Sequence, residues 1–194
     1  MPFGFELTLS ILTALVLAVF TTRFLLRRAP PHKKIGPWRV DLTPGSERAG
    51  MYTRAFIAWN SLFALRAPEA VYFTARHDSD GNRLECQATY SIEGQDPDAR
   101  WWSLTVYQKN HLIPNSLGRY SFSQTTVARN GEGRWRIHLS PQQQAENWLP
   151  TGEPQGNCGL ALRLYGPARD TLANLESIRL PQIHRIAPRR EASA

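Results

Sequence analysis

Residues 69–92 read EAVYFTARHDSDGNRLECQATYSI, and their apolar positions recur at every second residue. Val71, Phe73 and Ala75 alternate with Tyr72, Thr74 and Arg76; beyond Asp80, Gly81 and Asn82 the same period returns at Leu84, Cys86, Ala88, Tyr90 and Ile92. A period of two puts alternate side chains on opposite faces of an extended chain, and Asp-Gly is a strong turn former. The stretch predicts a β-hairpin with one face toward a core.

The period persists outward. Strands are expected at Trp101–Tyr107, Arg119–Ala128, Arg134–Leu139, Gly159–Tyr165 and Ile178–Ile186, with Asn130-Gly131 as a second hairpin turn. Short strands with no helices alternating between them argue for a mainly β fold, an antiparallel β-sandwich of jelly-roll type or an open barrel, with one packed helix. That helix is expected between Ser46 and Leu65, where Met51, Ala55, Ala58, Trp59 and Leu62 recur at helical spacing before Pro68.

Ahead of this body, Leu7 to Phe20 carries no charge, and Phe3, Phe5, Phe24, Leu25 and Leu26 extend the apolar zone to the roughly 20 residues a bilayer-spanning helix needs. A cleaved signal peptide would have a basic start and a small-x-small site, whereas this run is followed by Thr-Thr-Arg-Phe-Leu-Leu-Arg-Arg. The reading is a single N-terminal transmembrane helix that stays on the chain. The layout is then an anchor at 1–28, a proline-rich linker at 29–37, the sandwich at 38–186 and a basic flexible tail at 187–194.

The formal charge of +7 over 194 residues concentrates at the ends, with +4 in residues 1–34 and +2 in residues 184–194. The body keeps +1, without the clustered cations that displace counterions from a duplex, so nucleic acid is not an expected partner. Five Lys and Arg residues follow the span and none precedes it, which by the positive-inside rule puts the body in the cytoplasm. Cys86 and Cys158 fit either one disulfide or two buried thiols, and their spacing excludes a Cys-x-x-Cys motif.

Zincin, P-loop, dinucleotide and nucleophile-elbow patterns are absent, and no metal or cofactor is expected. The Asp78-Ser-Asp-Gly-Asn run reads as a turn rather than a calcium loop, since an EF-hand would need Glu where Thr89 stands. His111 and His138 are isolated. Acids such as Glu85, Glu93, Asp96 and Asp98 are present, and a glycosidase would need two of them across a cleft. The densest polar and aromatic set is Trp102, Tyr107, Asn115, Arg119, Asn147, Trp148, Arg163 and Tyr165, with Trp101 and Tyr120 beside it. Aromatic faces next to Arg and Asn donors suit a sugar ring or an anionic headgroup. The same residues equally serve as core, cross-strand pairs and loop ties, and Arg119, Asn147 and Arg163 are expected to tie loops to strands.

The ordered pieces Gly36-Pro-Trp, Tyr52-Thr-Arg-Ala, Glu69-Ala-Val-Tyr-Phe-Thr-Ala, Ala99-Arg-Trp-Trp-Ser-Leu-Thr-Val-Tyr, Asn115 with Arg119-Tyr-Ser, Asn147-Trp-Leu-Pro and Leu162-Arg-Leu-Tyr-Gly-Pro resemble a bacterial family of envelope proteins, domain of unknown function 1214. The resemblance runs from about Gly36 to Ile183 and implies a β-sandwich module. It carries no catalytic assignment. Longer relatives join this domain to a second one, domain of unknown function 1254. The resemblance therefore implies a membrane-anchored envelope module that binds or assembles with a separate protein carrying that companion domain. A homodimer is the alternative partner, and an enzyme or binding protein acting on envelope glycan or lipid is the alternative function. Family members are exported, which puts the body on the periplasmic side of the inner membrane, against the side the flanking charge gives.

Overall fold

The computed structural model describes residues 2–27, 32–43, 45–59, 65–152 and 155–187. The chain divides into two compact units, Met1–Pro31 with Thr43–Ala64, and His32–Leu42 with Leu65–Ala194.

The first unit is helical. Helix α1 (Pro2–Arg27) has every side chain from Gly4 to Phe24 exposed. Its segment Gly4–Leu25 is long and apolar enough to cross a membrane. The hydroxyls of Thr8 and Thr13 donate to the carbonyls of Gly4 and Leu9, both at 2.8 Å, so neither presents an unpaired donor to an apolar surrounding. Helix α2 (Met51–Trp59) follows a turn in which Ser46 Oγ donates to the Thr43 carbonyl at 2.6 Å. It starts at Met51, where the apolar spacing starts, and Leu62, the last residue of that spacing, lies outside the described residues.

The second unit holds the strands: β1 (Lys33–Ile35), β2 (Trp38–Val40), β3 (Ala70–Ala75), β4 (Thr89–Gln95), β5 (Ala99–Gln108), β6 (His111–Leu112), β7 (Ser121–Ser123), β8 (Arg134–Ser140), β9 (Trp148–Pro150), β10 (Gly159–Pro167) and β11 (Gln182–Ile186). A short helix α3 (Arg169–Ala173) and a 3-10 turn at Leu175–Ser177 lead into β11. One sheet has seven strands in the order β1-β2-β3-β10-β5-β6, with β7 also on β5; the other runs β11-β4-β8-β9. The chain is mainly β, as its periodicity requires.

Inward-facing residues of both sheets form one cluster. Val71, Phe73, Trp102, Leu104, Leu160, Leu162 and Leu164 come from the first sheet, and Tyr90, Ile92, Trp135, Ile137, Leu139 and Ile183 from the second. Register follows burial: Leu162 stands opposite both Phe73 and Leu104, and Ile92 opposite both Ile137 and Ile183. Apolar residues thus meet apolar residues along each inner face.

Four expectations are corrected. Residues 69–92 are not a two-stranded hairpin: only the bridge His77↔Arg83 closes the turn, and the chain then crosses from β3 in one sheet to β4 in the other. Leu84, Cys86 and Ala88 are buried in alternation, but their segment bonds residues 156–158 through the bridge Glu85↔Asn157. The Asp78 carboxylate stays within the turn, accepting from the backbone of Asp80 and Asn82 at 3.1 and 2.7 Å. Secondly, the strand expected at Arg119–Ala128 shrinks to β7, and the Asn130 turn joins it to β8 across the two sheets. That turn is real, with Asn130 N–H donating to the Arg134 carbonyl at 2.8 Å and Gly133 at φ 74°. Thirdly, β8 and β9 pair in parallel, so the second sheet is mixed. Lastly, β1 lies inside the stretch 29–37 expected as linker and pairs with β2. Residues 29–31 and 188–194 lie outside the described residues.

Candidate functional site

The eight candidate residues separate by strand parity. On β5, Trp102, Leu104 and Val106 face the core, so Trp101, Ser103, Thr105 and Tyr107 face outward; on β10, burial of Leu160, Leu162 and Leu164 sends Ala161, Arg163 and Tyr165 outward. Trp102 is therefore a core residue. It is fully buried, stacks on Trp135 with ring centroids 4.9 Å apart, and donates Nε1–H to Asp96 Oδ1 at 3.0 Å. The adjacent Trp101 takes the outer face, against Tyr165 at 5.3 Å.

Four candidates hold loops. Asn115 Nδ2 donates to the carbonyls of Ile113 and Arg119, while its Oδ1 accepts from Arg119 N–H. Arg119 Nη1 donates to the Trp148 carbonyl at 3.2 Å, and its guanidinium lies 5.4 Å from the Phe122 ring centroid. Asn147, at φ 41°, donates Nδ2–H to the Ala128 and Arg136 carbonyls at 2.8 and 2.9 Å and accepts from Ala128 N–H at 2.8 Å. Trp148 Nε1 donates to the Ser140 carbonyl at 2.9 Å. Each of these side chains spends polar capacity on its own backbone.

What converges is the outer face of the seven-stranded sheet. Arg163 Nη1 donates to Thr105 Oγ1 at 3.0 Å and Nη2 donates to the Tyr107 hydroxyl at 2.6 Å, with the guanidinium carbon 5.5 Å from the Tyr107 ring centroid. Arg163 stands opposite Ser103 on β5 and Tyr72 on β3. Burial raises the pKa of Tyr72, and the neighbouring Tyr165 raises it further. Among the described residues no carboxylate lies within 4.0 Å of Arg163. By contrast Arg129, Arg136 and Arg185 each meet an acid, Asp96, Glu93 and Glu85 respectively. Three of the four acids weighed for glycosidase chemistry are thus tied to arginines. The Arg163 face offers a cation whose partners are two hydroxyls, flanked by Trp101, Tyr107, Tyr165 and Tyr72, a setting suited to an anionic group on an apolar or ring-shaped carrier.

Thr105 and Tyr72 escaped the sequence reading, although they share the outward parity of Tyr107 and Arg163. His111 is exposed on β6; His138, on β8, has a buried Nδ1 without a hydrogen-bond partner, and burial, then Arg136, lowers its pKa. Among the described residues no group of three His, Cys, Asp or Glu residues is placed to hold a metal ion.

The two-sheet fold and its residue pattern correspond to a known class. The family model described as Protein of unknown function (DUF1214) matches residues 69–169, and the chain belongs to that family. No curated protein matches it. A crystal structure of a protein from Vibrio parahaemolyticus is similar at 24% identity and a TM-score of 0.59, over 72% of this chain and 36% of that one. This chain therefore spans little more than a third of that protein's length. An uncharacterized protein from Burkholderia cenocepacia aligns at 20% identity and a TM-score of 0.42, over 66% of this chain and 32% of that one.

Proposed function

We propose that this protein is a single-pass membrane-anchored binding module of the bacterial envelope, in which α1 tethers the strand unit and the Arg163 face receives a partner. The observation that carries the reading is α1, whose apolar side chains are exposed from Gly4 to Phe24. The thirteen apolar side chains this stretch leaves bare are costly in water and favourable in a bilayer. The favoured partner is a separate protein carrying the companion domain 1254. Support comes from the Vibrio parahaemolyticus structure, in which the resembling region is only a part of a longer chain. Confining two anchored chains to one membrane raises their effective concentration much as a covalent linker does. The outward cation at Arg163 suits a carboxylate or phosphate on that partner. The body is read as periplasmic.

Membrane fractionation and co-purification in mild detergent test this. The chain should stay with the membrane through alkaline carbonate washing, deletion of residues 2–27 should release it, and a co-expressed companion-domain protein should elute with it. Arg163→Glu should weaken that association, with a fall of several degrees in melting temperature as the bonds to Thr105 and Tyr107 are lost. A carbonate-soluble full chain would defeat the anchor. A monodisperse monomer eluting apart from the companion would defeat the partner.

A further inference from the structure

Arg163 shares its face with further cations. Burial of Trp38, Val40, Phe73 and Ala75 sends Arg39, Tyr72 and Thr74 to the outer side of the seven-stranded sheet, the side of Arg163. The register sets these residues in rows across the strands. Lys34 on β1 stands opposite Arg39 on β2, Arg39 opposite Thr74 on β3, and Thr74 opposite Ala161 on β10. One row along, Tyr72 is opposite Arg163; one row the other way, Arg76 lies beside Gly159, where a Cβ would stand 3.6 Å from Arg76 Cγ. Successive rows therefore carry Arg163, Arg39 and Arg76, with Lys34 at the sheet edge. Among the described residues no outward position of these strands holds an acid, and Asp41 stands just past the end of β2. Unlike Lys33, Arg129, Arg134, Arg136 and Arg185, these four cations have no carboxylate oxygen within 4.0 Å among the described residues. Lys34, Thr74 and Arg76 are exposed, and Arg39 and Arg163 are half-buried. On β10 the floor between Arg76 and Arg163 is low, because Gly159 and Ala161 carry no more than a methyl group.

We propose that this face docks an extended acidic segment of the partner protein, whose acids at alternate residues meet Arg76, Arg39 and Arg163 in turn; this rests on the partner reading above and names the chemistry the partner presents. Cations of one sign gathered on one face repel each other, and an opposite charge laid across them relieves that repulsion. Alternate residues of an extended chain lie about 6.6–6.8 Å apart, which is also the separation of successive rows on the sheet. A segment running along β10 over Gly159 and Ala161 therefore keeps step with the rows. Cations whose rows spread over about 13 Å suit several carboxylates better than a lone phosphate, since each guanidinium can take its own acid. Arg163 still has charge to satisfy, because its hydrogen-bond partners Thr105 and Tyr107 are neutral hydroxyls. One row beyond Arg163, Trp101 and Tyr165 offer an aromatic end for an apolar residue of the same segment.

The test is fluorescence anisotropy on the full chain in mild detergent, with labelled Glu-Ser-Glu-Ser-Glu as the probe and Glu-Glu-Glu-Ser-Ser and Lys-Ser-Lys-Ser-Lys as its controls. The alternating acidic peptide should bind most tightly and the basic one not at all, and salt at about 0.2 M should weaken the complex. In the double variant Arg39→Glu, Arg76→Glu the affinity should fall about tenfold or more. Its melting temperature should stay within a few degrees, because neither arginine side chain makes a hydrogen bond or ion pair among the described residues. The same variant should lose the companion-domain protein on co-purification. A variant that keeps the companion would overturn the inference and leave the partner reading standing. A wild-type chain that binds the alternating peptide while the companion elutes apart would defeat the partner reading and support the acidic-segment chemistry. Equal affinity for the two acidic peptides, undiminished peptide binding in the variant, or stronger competition from micelles doped with phosphatidylglycerol, which would make a lipid surface the occupant, would each overturn it.

Discussion

Replacing Asn147 separates a ligand residue from a loop tie. Its side chain makes three hydrogen bonds, donating to the carbonyls of Ala128 and Arg136 and accepting from Ala128 N–H, and its backbone sits at φ 41°. These bonds lie near the surface, so each contributes about 0.5–1 kcal/mol net, or about 1.5–3 kcal/mol together. Alanine also resists the left-handed conformation that asparagine tolerates, at a cost of about 1 kcal/mol. Asn147→Ala should therefore destabilise the strand unit by about 2.5–4 kcal/mol. At about 3–4 °C per kcal/mol for a body of this size, that is a fall in melting temperature of about 8–16 °C. Asn147→Gly loses the same three bonds without the strain and should recover about 3 °C of the fall. Thermal and urea unfolding followed by tryptophan fluorescence read both numbers. A melting temperature unchanged in Asn147→Ala, or glycine no better than alanine, would refute the reasoning. Unchanged stability with lost partner binding would return Asn147 to the ligand set.

Other sites give sharper local tests. A Cβ at Gly94 would stand 2.8 Å from Cζ2 and Cη2 of Trp135, which is already stacked on Trp102, so Gly94→Ala should cost about 1–3 kcal/mol by overpacking and shift the tryptophan fluorescence. An unchanged spectrum and midpoint would contradict the packing. Trp102→Phe gives up part of the stack on Trp135 and the bond to Asp96, for a loss of about 1.5–3 kcal/mol in urea unfolding. His138 is held neutral by burial, with a folded pKa below its unfolded value, so below pH ~6.5 the unfolded chain binds the proton more readily. The stability it contributes is present above the unfolded pKa and is lost as pH falls through the window down to the folded pKa. Proton-detected NMR should find its imidazole titrating below ~6.5, and His138→Gln should flatten that part of the pH profile; a midpoint at or above the ordinary value would reverse the sign.

Periodicity alone made the strand unit legible. The alternation through Val71–Ala75, Trp101–Tyr107, Arg134–Leu139 and Gly159–Tyr165 marks residues that end up in β3, β5, β8 and β10, because the pleat itself has a period of two and the buried face must be apolar. The apolar run of α1 was equally plain, since length and lack of charge are one-dimensional properties. Parity also contained more than was drawn from it: Trp101 and Trp102, adjacent in sequence, necessarily face opposite sides, so only Trp101 can stand beside Tyr165 on the outer face. Strand partnership was not legible. Leu84 to Ala88 alternates just as a hairpin arm would, yet it bonds residues 156–158, because alternation specifies which side faces the core and says nothing of which backbone supplies the hydrogen bonds. For the same reason the meeting of Arg163 with Thr105 and Tyr107 belonged to the tertiary structure alone. Contacts between residues so far apart along the chain are set by how two sheets share one core, a constraint that acts on the whole body and on no single segment of it.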